Sequence, residues 1–421
     1  MTAPSPVTAL DSTTQYAHKL SNGLTLVAEA IPAVRSAAMT LLIPAGAAND
    51  PLDASGASSV VAEWVLRGAG SRDSRALSAY LDDLGTQRGS QAETLFTRFS
   101  ASLLGSNLLG ILPVYADIVR APHLHDDGFA PSQDLALQQL SAIEDEPSSK
   151  LSILLRERHY DFPFGRSTSG IRQDVEAMSA EKLRSDFAQR FTPQGAILSV
   201  AGAFDWPALK DATEKAFGTW VAPPAVAWPA RKAPCGTHHE TQQTNQVQIG
   251  LAYDTLPDNH PDSILVQTTL NVLSGGMGAR LFVEVREKQG LCYSIHAGYH
   301  SFRDRAAIFG YAGTAPDRAQ RTLDSFFVEL HRLSNGITRD ELERAKTMMK
   351  ARVIMQGESS GSRAGSLAYD IYQRGRTRTL EELRLLIDSV TLARVNDYLS
   401  ANPIRNVTLV TVGPEALKVE T

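Results

Sequence analysis

The sequence predicts an α+β fold made of two similar halves joined by an extended linker, and three observations carry that reading. Strand-period and helix-period residues fall in blocks rather than in strict alternation, which favours layered α+β domains over a doubly wound sheet. Near the midpoint, TWVAPPAVAWPARKAPCG packs four prolines into a short stretch, which extends the backbone and blocks helix. The closing segment ARVNDYLSANPIRNVTLVTVG repeats the layout of EKLRSDFAQRFTPQGAILSVAG, an amphipathic helix and polar turn leading to a strand that ends in glycine. A repeat with a period near half the chain is that of a duplicated domain. The expected divisions are a flexible lead at 1–15, a first α+β domain at 16–217, the linker at 218–237 and a second α+β domain at 238–421.

In the first half, Asn22-Gly23 turns the chain into one strand and AAMTLLIPAG forms another. Residues 56–85 read as helical, with Ala57, Val60, Val61 and Trp64 at helical spacing. A strand over 96–104 and helices over 108–119, 132–143 and 149–158 follow. Ser179 caps a further helix before the strand AILSVAG. In the second half, strands are expected at 246–253 and 306–313 and a helix at 263–273. Pro316 opens a helix with Leu323, Phe326, Phe327 and Leu330 inward, and Thr338 with Glu341 makes a capping-box pattern for the next.

With 421 residues, 43% of them hydrophobic, the chain can bury two cores. A net charge of −5 and no basic run exclude a nucleic-acid surface and a polybasic membrane anchor. No apolar run reaches the ~20 residues of a membrane helix. Cys235 and Cys292 lie far apart and form no metal or redox spacing. The start, MTAPSPVTALDSTTQ, has no basic-then-apolar signal pattern and reads as a flexible small-residue lead. It fits an exported chain whose signal was trimmed or a cytosolic one; the periplasm is the expectation and the cytoplasm the alternative.

The chemistry concentrates in NVLSGGMGARLFVEVREKQGLCYSIHAGYH, residues 271–300. Three glycines loosen the backbone before Leu281, Phe282 and Val285, which mark one helix face, and Gly290 reads as the residue just past the helix end. Alternation from Leu291 to His300 gives a strand. The reversal at Gly290 can therefore bring Arg286 and Tyr293, seven residues apart, to one end of the layer. Read from the residues alone, Arg286 complements the negative end of its helix and Tyr293 is a strand aromatic.

RLFVEVREKQGLCYSI resembles the C-terminal-half signature of the insulysin, pitrilysin and mitochondrial-processing-peptidase family of zinc peptidases. The resemblance runs from about Tyr16 to about Gly413 and implies two related α+β halves. It implies that Arg286 and Tyr293 donate hydrogen bonds to a bound peptide and to its developing oxyanion. The family's zinc motif is HxxEH on a first-half helix, with a third ligand later. Here GASSVVAEWVLRGAG matches that helix in layout, but Ser59 and Glu63 stand at the histidine positions, Ala62 at the base and Gln139 at the third ligand.

No other constellation replaces that motif. HLHDD, at 123–127, reads as a solvated turn, and His238-His239 and the His296/His300 pair are weaker metal signals. There is no GxSxG elbow, SGGMGARL lacks the lysine of a phosphate loop, and Cys292 has no evident base. The resemblance thus implies the non-catalytic subunit of a heteromeric zinc peptidase acting on unfolded peptides. Such a chain binds no cofactor itself; zinc sits on a homologous HxxEH partner, and neither nucleic acid nor membrane is involved. The alternative is a non-enzymatic structural subunit, like the core proteins of respiratory complexes that share the architecture.

Overall fold

Strands and helices follow one another in a related order in the two halves of the chain. The computed structural model describes residues 13–221 and 231–418. The first half begins with β1 (Thr14–Lys19), β2 (Thr25–Ala30) and β3 (Ser36–Ile43). After them come α1 (Ala57–Trp64), a short hairpin of β4 (Gly68–Ala69) and β5 (Arg72–Asp73), and α2 (Ser74–Asp83). β6 (Gln87–Ala92) and β7 (Thr97–Leu104) lead into α3 (Leu108–Arg120), α4 (Asp126–Asp145), α5 (Pro147–His159) and α6 (Arg172–Ala177). α7 (Ala180–Arg190), β8 (Ile197–Gly202) and α8 (Trp206–Phe217) complete it. The second half opens with β9 (Thr237–Thr241), β10 (Val247–Thr255), α9 (Ser263–Ser274) and a π-helix (Leu281–Lys288). β11 (Ser294–Ser301), β12 (Ala306–Thr314), α10 (Ala319–Ser334) and α11 (Arg339–Gly357) come next. α12 (Ser360–Arg374), α13 (Leu380–Asp388), α14 (Leu392–Ala401) and β13 (Thr408–Gly413) end the described chain.

These strands build two mixed sheets with one plan. The first runs β6-β7-β3-β8-β2-β1 and the second β11-β12-β10-β13-β9. Counted from β6 and from β11, three antiparallel pairings are followed by one parallel pairing in each. Only the first sheet gains a further antiparallel edge strand, β1. The duplication read from the closing segments is therefore present strand for strand. The layers are α+β, as expected.

Two compact units form around the sheets, and they do not follow the linear division into 16–217 and 238–421. Of the described residues, the first unit takes 13–138, 168–221 and 355–381, and the second takes 139–167, 231–354 and 382–418. The cause is the need of each sheet for an apolar cover on its second face. α5, from the first half, lies on the second sheet, where Leu151 and Leu155 pack with Ala252, Val410 and Val412. α12, from the second half, lies on the first sheet, where Ala364, Leu367 and Ala368 pack with Val27, Ala38 and Leu42. Arg363, fully buried, fixes its register by donating through Nε and Nη2 to the two Glu29 oxygens at 2.7 and 2.6 Å.

Local differences have local reasons. The single helical block expected over 56–85 breaks after Trp64, because Gly68 and Gly70 adopt positive φ of 117° and 57° and turn the chain into the β4–β5 hairpin. Thr14 and Gln15, placed in the lead, already belong to β1, whereas 1–12 lie outside the described residues. Of the linker, 222–230 lie outside them too; Arg231 pairs with Phe162, and Thr237 opens β9. The caps came out as read: Ser179 accepts from Lys182 N–H, and Thr338 and Glu341 bond reciprocally. Among the described residues no helix is long and apolar enough to cross a membrane.

Candidate functional site

The segment carrying Arg286 and Tyr293 lies wholly in the second unit. Its helix is a π-helix rather than the α-helix its spacing suggested, a rare and wider turn. Leu281 and Val285 anchor it in the core, both fully buried. On the outside Lys288 pairs with Glu284 at 3.0 Å, and Arg332 reaches the same carboxylate at 3.6 Å. The helix ends at Gly290, whose φ of 61° only glycine adopts cheaply; Gly290 N–H bonds Arg286 O and Leu291 N–H bonds Val285 O, both at 3.1 Å.

That turn is clamped from several directions. Arg318 Nη1 donates to Gly290 O at 2.7 Å, and the Thr322 hydroxyl donates to Leu291 O at 3.2 Å. Tyr293 N–H bonds Gly313 O at 2.9 Å, so the backbone is already sheet-paired one residue before β11 begins.

From this fixed frame both donors project into solvent. Tyr293 is 61% exposed, and its phenol has no hydrogen-bond partner among the described residues. The exposed Arg286 guanidinium stands over the Phe282 ring, 4.9 Å from its centroid, an arrangement that holds a cation while leaving its donor edge open. Burial pushes the Cys292 thiol up to about 11, and the Arg286 charge, close enough to act on it, pulls the other way. Cys292 is thus a protonated packing residue at neutral pH, not a nucleophile.

The positions expected to correspond to the zinc motif look quite different. α1 begins on a buried charge network: Gly56 N–H and Ser58 N–H donate to the Asp50 carboxylate at 2.8 and 2.9 Å, and Arg190 pairs with Asp50 at 3.1 Å. Burial opposes the Arg190 charge, but the Asp50 and Asp186 carboxylates outweigh it and raise its pKa. On that helix Glu63 pairs with Arg67 at 3.2 Å, and Arg67 Nε donates to Ser132 on α4 at 2.8 Å. Ala62 is 4% exposed and brings no functional group; Gln139 is exposed on α4. A catalytic zinc needs three histidine, cysteine or carboxylate ligands. Ser59, Ala62, Glu63 and Gln139 offer one carboxylate, already paired, and do not fit the ion. No group of three or more such side chains is placed to hold a metal among the described residues.

Several other histidines have neighbours of their own. His123 Nε2 lies 2.7 Å from Gly70 O beside the His125 ring, and His239 Nδ1 lies 2.9 Å from Thr411 Oγ1. His296 packs on Tyr311. His300 sits in a cluster that sequence reasoning missed, because its partners Arg156 and Tyr160 come from distant α5 and its end. Burial and the Arg156 charge press the His300 pKa down to about 3, so its ring is neutral. The neutral Nε2 accepts from Arg156 Nη1 at 3.2 Å and Nδ1 donates to the Tyr160 hydroxyl at 3.0 Å.

Comparison with known proteins decides the family. Residues 25–170 match "Insulinase (Peptidase family M16)" and residues 177–349 match "Peptidase M16 inactive domain". The chain belongs to peptidase family M16. An uncharacterized zinc protease of Bacillus subtilis is 27% identical over 379 residues, covering 89% of this chain and 92% of that protein. One from Rickettsia felis is 22% identical across 95% of this chain and 98% of its own. Among solved structures, a peptidase M16 inactive domain from Pseudomonas fluorescens superposes with a TM-score of 0.86 at 19% identity. It covers 96% of this chain and 100% of that one. A chain of Complex III2 from Candida albicans gives 0.80 at 19% identity, covering 95% and 96%. At such identities these two show the M16 fold alone.

Proposed function

We propose that this M16 chain is the non-catalytic subunit of a heteromeric zinc metallopeptidase that cleaves unfolded peptides. It binds no metal itself; zinc is carried by a homologous HxxEH subunit. Arg286 positions the peptide carbonyl through its guanidinium fork, and the Tyr293 phenol donates to the oxygen as it takes up charge. The observation that carries the reading is the state of those two side chains. Both are exposed with open donors on a turn held by backbone and side-chain bonds, whereas the first-half positions are filled by an inert alanine and an occupied carboxylate. The periplasm is the proposed compartment.

The test mixes this chain with an HxxEH-bearing M16 relative from the same cell and follows a quenched unfolded peptide. Turnover is expected to need both chains. Arg286→Ala and Tyr293→Phe are each expected to lower it by about 10² to 10³, the usual loss for one oxyanion donor, with complex formation unchanged. Wild-type turnover in both variants would replace this reading with that of a non-enzymatic structural subunit.

A further inference from the structure

The far end of β10 opens into a cavity of about 400 Å³ in the second unit, formed with α9, α10, α14 and the loop after α14. Strand alternation decides what faces it. Val247, Ile249, Leu251 and Tyr253 point to the core beneath α9 and α10, whereas Asp254 points the other way and meets His159 Nε2 at 3.3 Å. The apolar lining is Val266, Leu270 and Leu273 from α9, Ile308 from β12, Leu333 from α10 and Leu399 from α14. The polar lining includes Asp254, Thr255, Thr269 and Asn402, and above all Tyr253, Tyr398 and Arg405.

The state of these three is unusual. Tyr253 is only 9% exposed, yet its hydroxyl has no hydrogen-bond partner among the described residues. Tyr253 lines the cavity, where a ligand or water can pair its hydroxyl. Burial raises the pKa of Tyr253, and burial likewise raises that of Tyr398, whose hydroxyl lies 3.4 Å from Thr255 Oγ1. Both phenols therefore remain O–H donors. Arg405 is exposed and makes no ion pair among the described residues. Of the nearby acids, Asp262 pairs with Arg394 at 3.2 Å, while Asp254, which also lines the cavity, stands 3.3 Å from His159, whose charged form burial disfavours. The site thus offers apolar walls, hydroxyl donors and an Arg405 guanidinium that makes no ion pair among the described residues, with the Asp254 carboxylate at the strand end.

We propose that this cavity binds a small apolar carboxylate, its hydrocarbon against the α9 leucines, its carboxylate accepting from the Tyr253 hydroxyl, and Arg405 supplying the countercharge. That chemistry belongs equally to a free medium-chain acid and to the apolar C-terminal residue of a peptide. The site is separate from Arg286 and Tyr293, and its occupancy does not depend on the function proposed for them.

Calorimetric titration of the full chain with decanoate, below its micelle concentration, tests the assignment. Saturable binding is expected, weakened about tenfold by Tyr253→Phe and by Arg405→Gln, as for loss of a hydrogen bond to a charged group. Decanol is expected to bind more weakly and to ignore Arg405→Gln. Leu270→Trp fills the cavity and is expected to abolish binding with the circular dichroism unchanged, which guards against a misfolded Tyr253 variant. A leucine-terminated peptide with a free carboxylate, compared with its amide, identifies the source: competition by the free acid alone points to peptide ends, and no competition points to free acids. Absence of decanoate binding, or equal binding by wild type, Tyr253→Phe and Arg405→Gln, overturns the proposal.

Discussion

α1 in the first unit and the π-helix turn in the second illustrate two fates of polar side chains on one duplicated scaffold. On α1, Glu63 is spent on Arg67, which in turn holds Ser132, and Ala62 is sealed in the core. On the π-helix turn, Arg318, Thr322 and Gly313 bond the backbone around Gly290, Glu284 is spent on Lys288, and Arg286 and Tyr293 are left unpaired with polar atoms and outward. The sheets behind the two regions share strand order and pairing sense, so the fold does not dictate the difference. What separates the two regions is whether the polar atoms are already satisfied.

The contrast can be broken experimentally, and the largest effect is expected at Arg286. Arg286→Ala should cut turnover of the mixed complex by ~10² to 10³ while the urea midpoint of the isolated chain stays put, since an exposed side chain contributes little to folding. A shifted midpoint would show that this side chain is structural after all. Acid should act next, and on the second unit. The His300 pKa of about 3 lies below the free imidazole value of 6.5, so the unfolded chain takes up a proton first on acidification. Stability contributed by the neutral ring is complete above pH 6.5 and is lost progressively as pH falls toward 3. Urea midpoints measured across that range should fall with acid in the wild type and less steeply in His300→Gln.

Smaller effects are expected on α1, and they should have the opposite character. Ala62→Glu forces a carboxylate into a packed position and should lower stability by about 1–3 kcal/mol, without changing turnover per folded molecule. Glu63→Gln removes a part-exposed ion pair and should cost no more than ~1 kcal/mol by the same denaturation measurement. Turnover sensitive to Glu63→Gln would place α1 back among the working parts.

Much of this contrast was legible in the sequence, because it rests on local signals. Gly290 needs its positive φ, Thr338 and Glu341 cap as their spacing demands, and the Arg286–Tyr293 offset spans one reversal. Ser59, Ala62, Glu63 and Gln139, at the positions expected for the zinc motif, are identities read directly from the sequence. What escaped was non-local. A π-turn differs from an α-turn by one residue of hydrogen-bond reach, which the positions of Leu281, Phe282 and Val285 do not distinguish. The His300 cluster joins β11 to α5, and the Arg363–Glu29 pair joins α12 to β2; neither pairing leaves a periodic trace. Nor does hydrophobic pattern reveal which sheet an amphipathic helix will cover, which is why the linear domain boundaries failed at α5 and α12.

Those two crossed helices bear on how the molecule is made. During synthesis the strands of the first sheet emerge early, but the helix that shields their face, with Arg363 for the buried Glu29, leaves the ribosome only after residue 374. Meanwhile α5 appears long before β10 and β13, the strands it will cover. Neither unit can finish before nearly the whole polypeptide exists, so cutting the gene at the proline-rich segment should yield two fragments that each hold the other's missing piece and become soluble only when co-expressed.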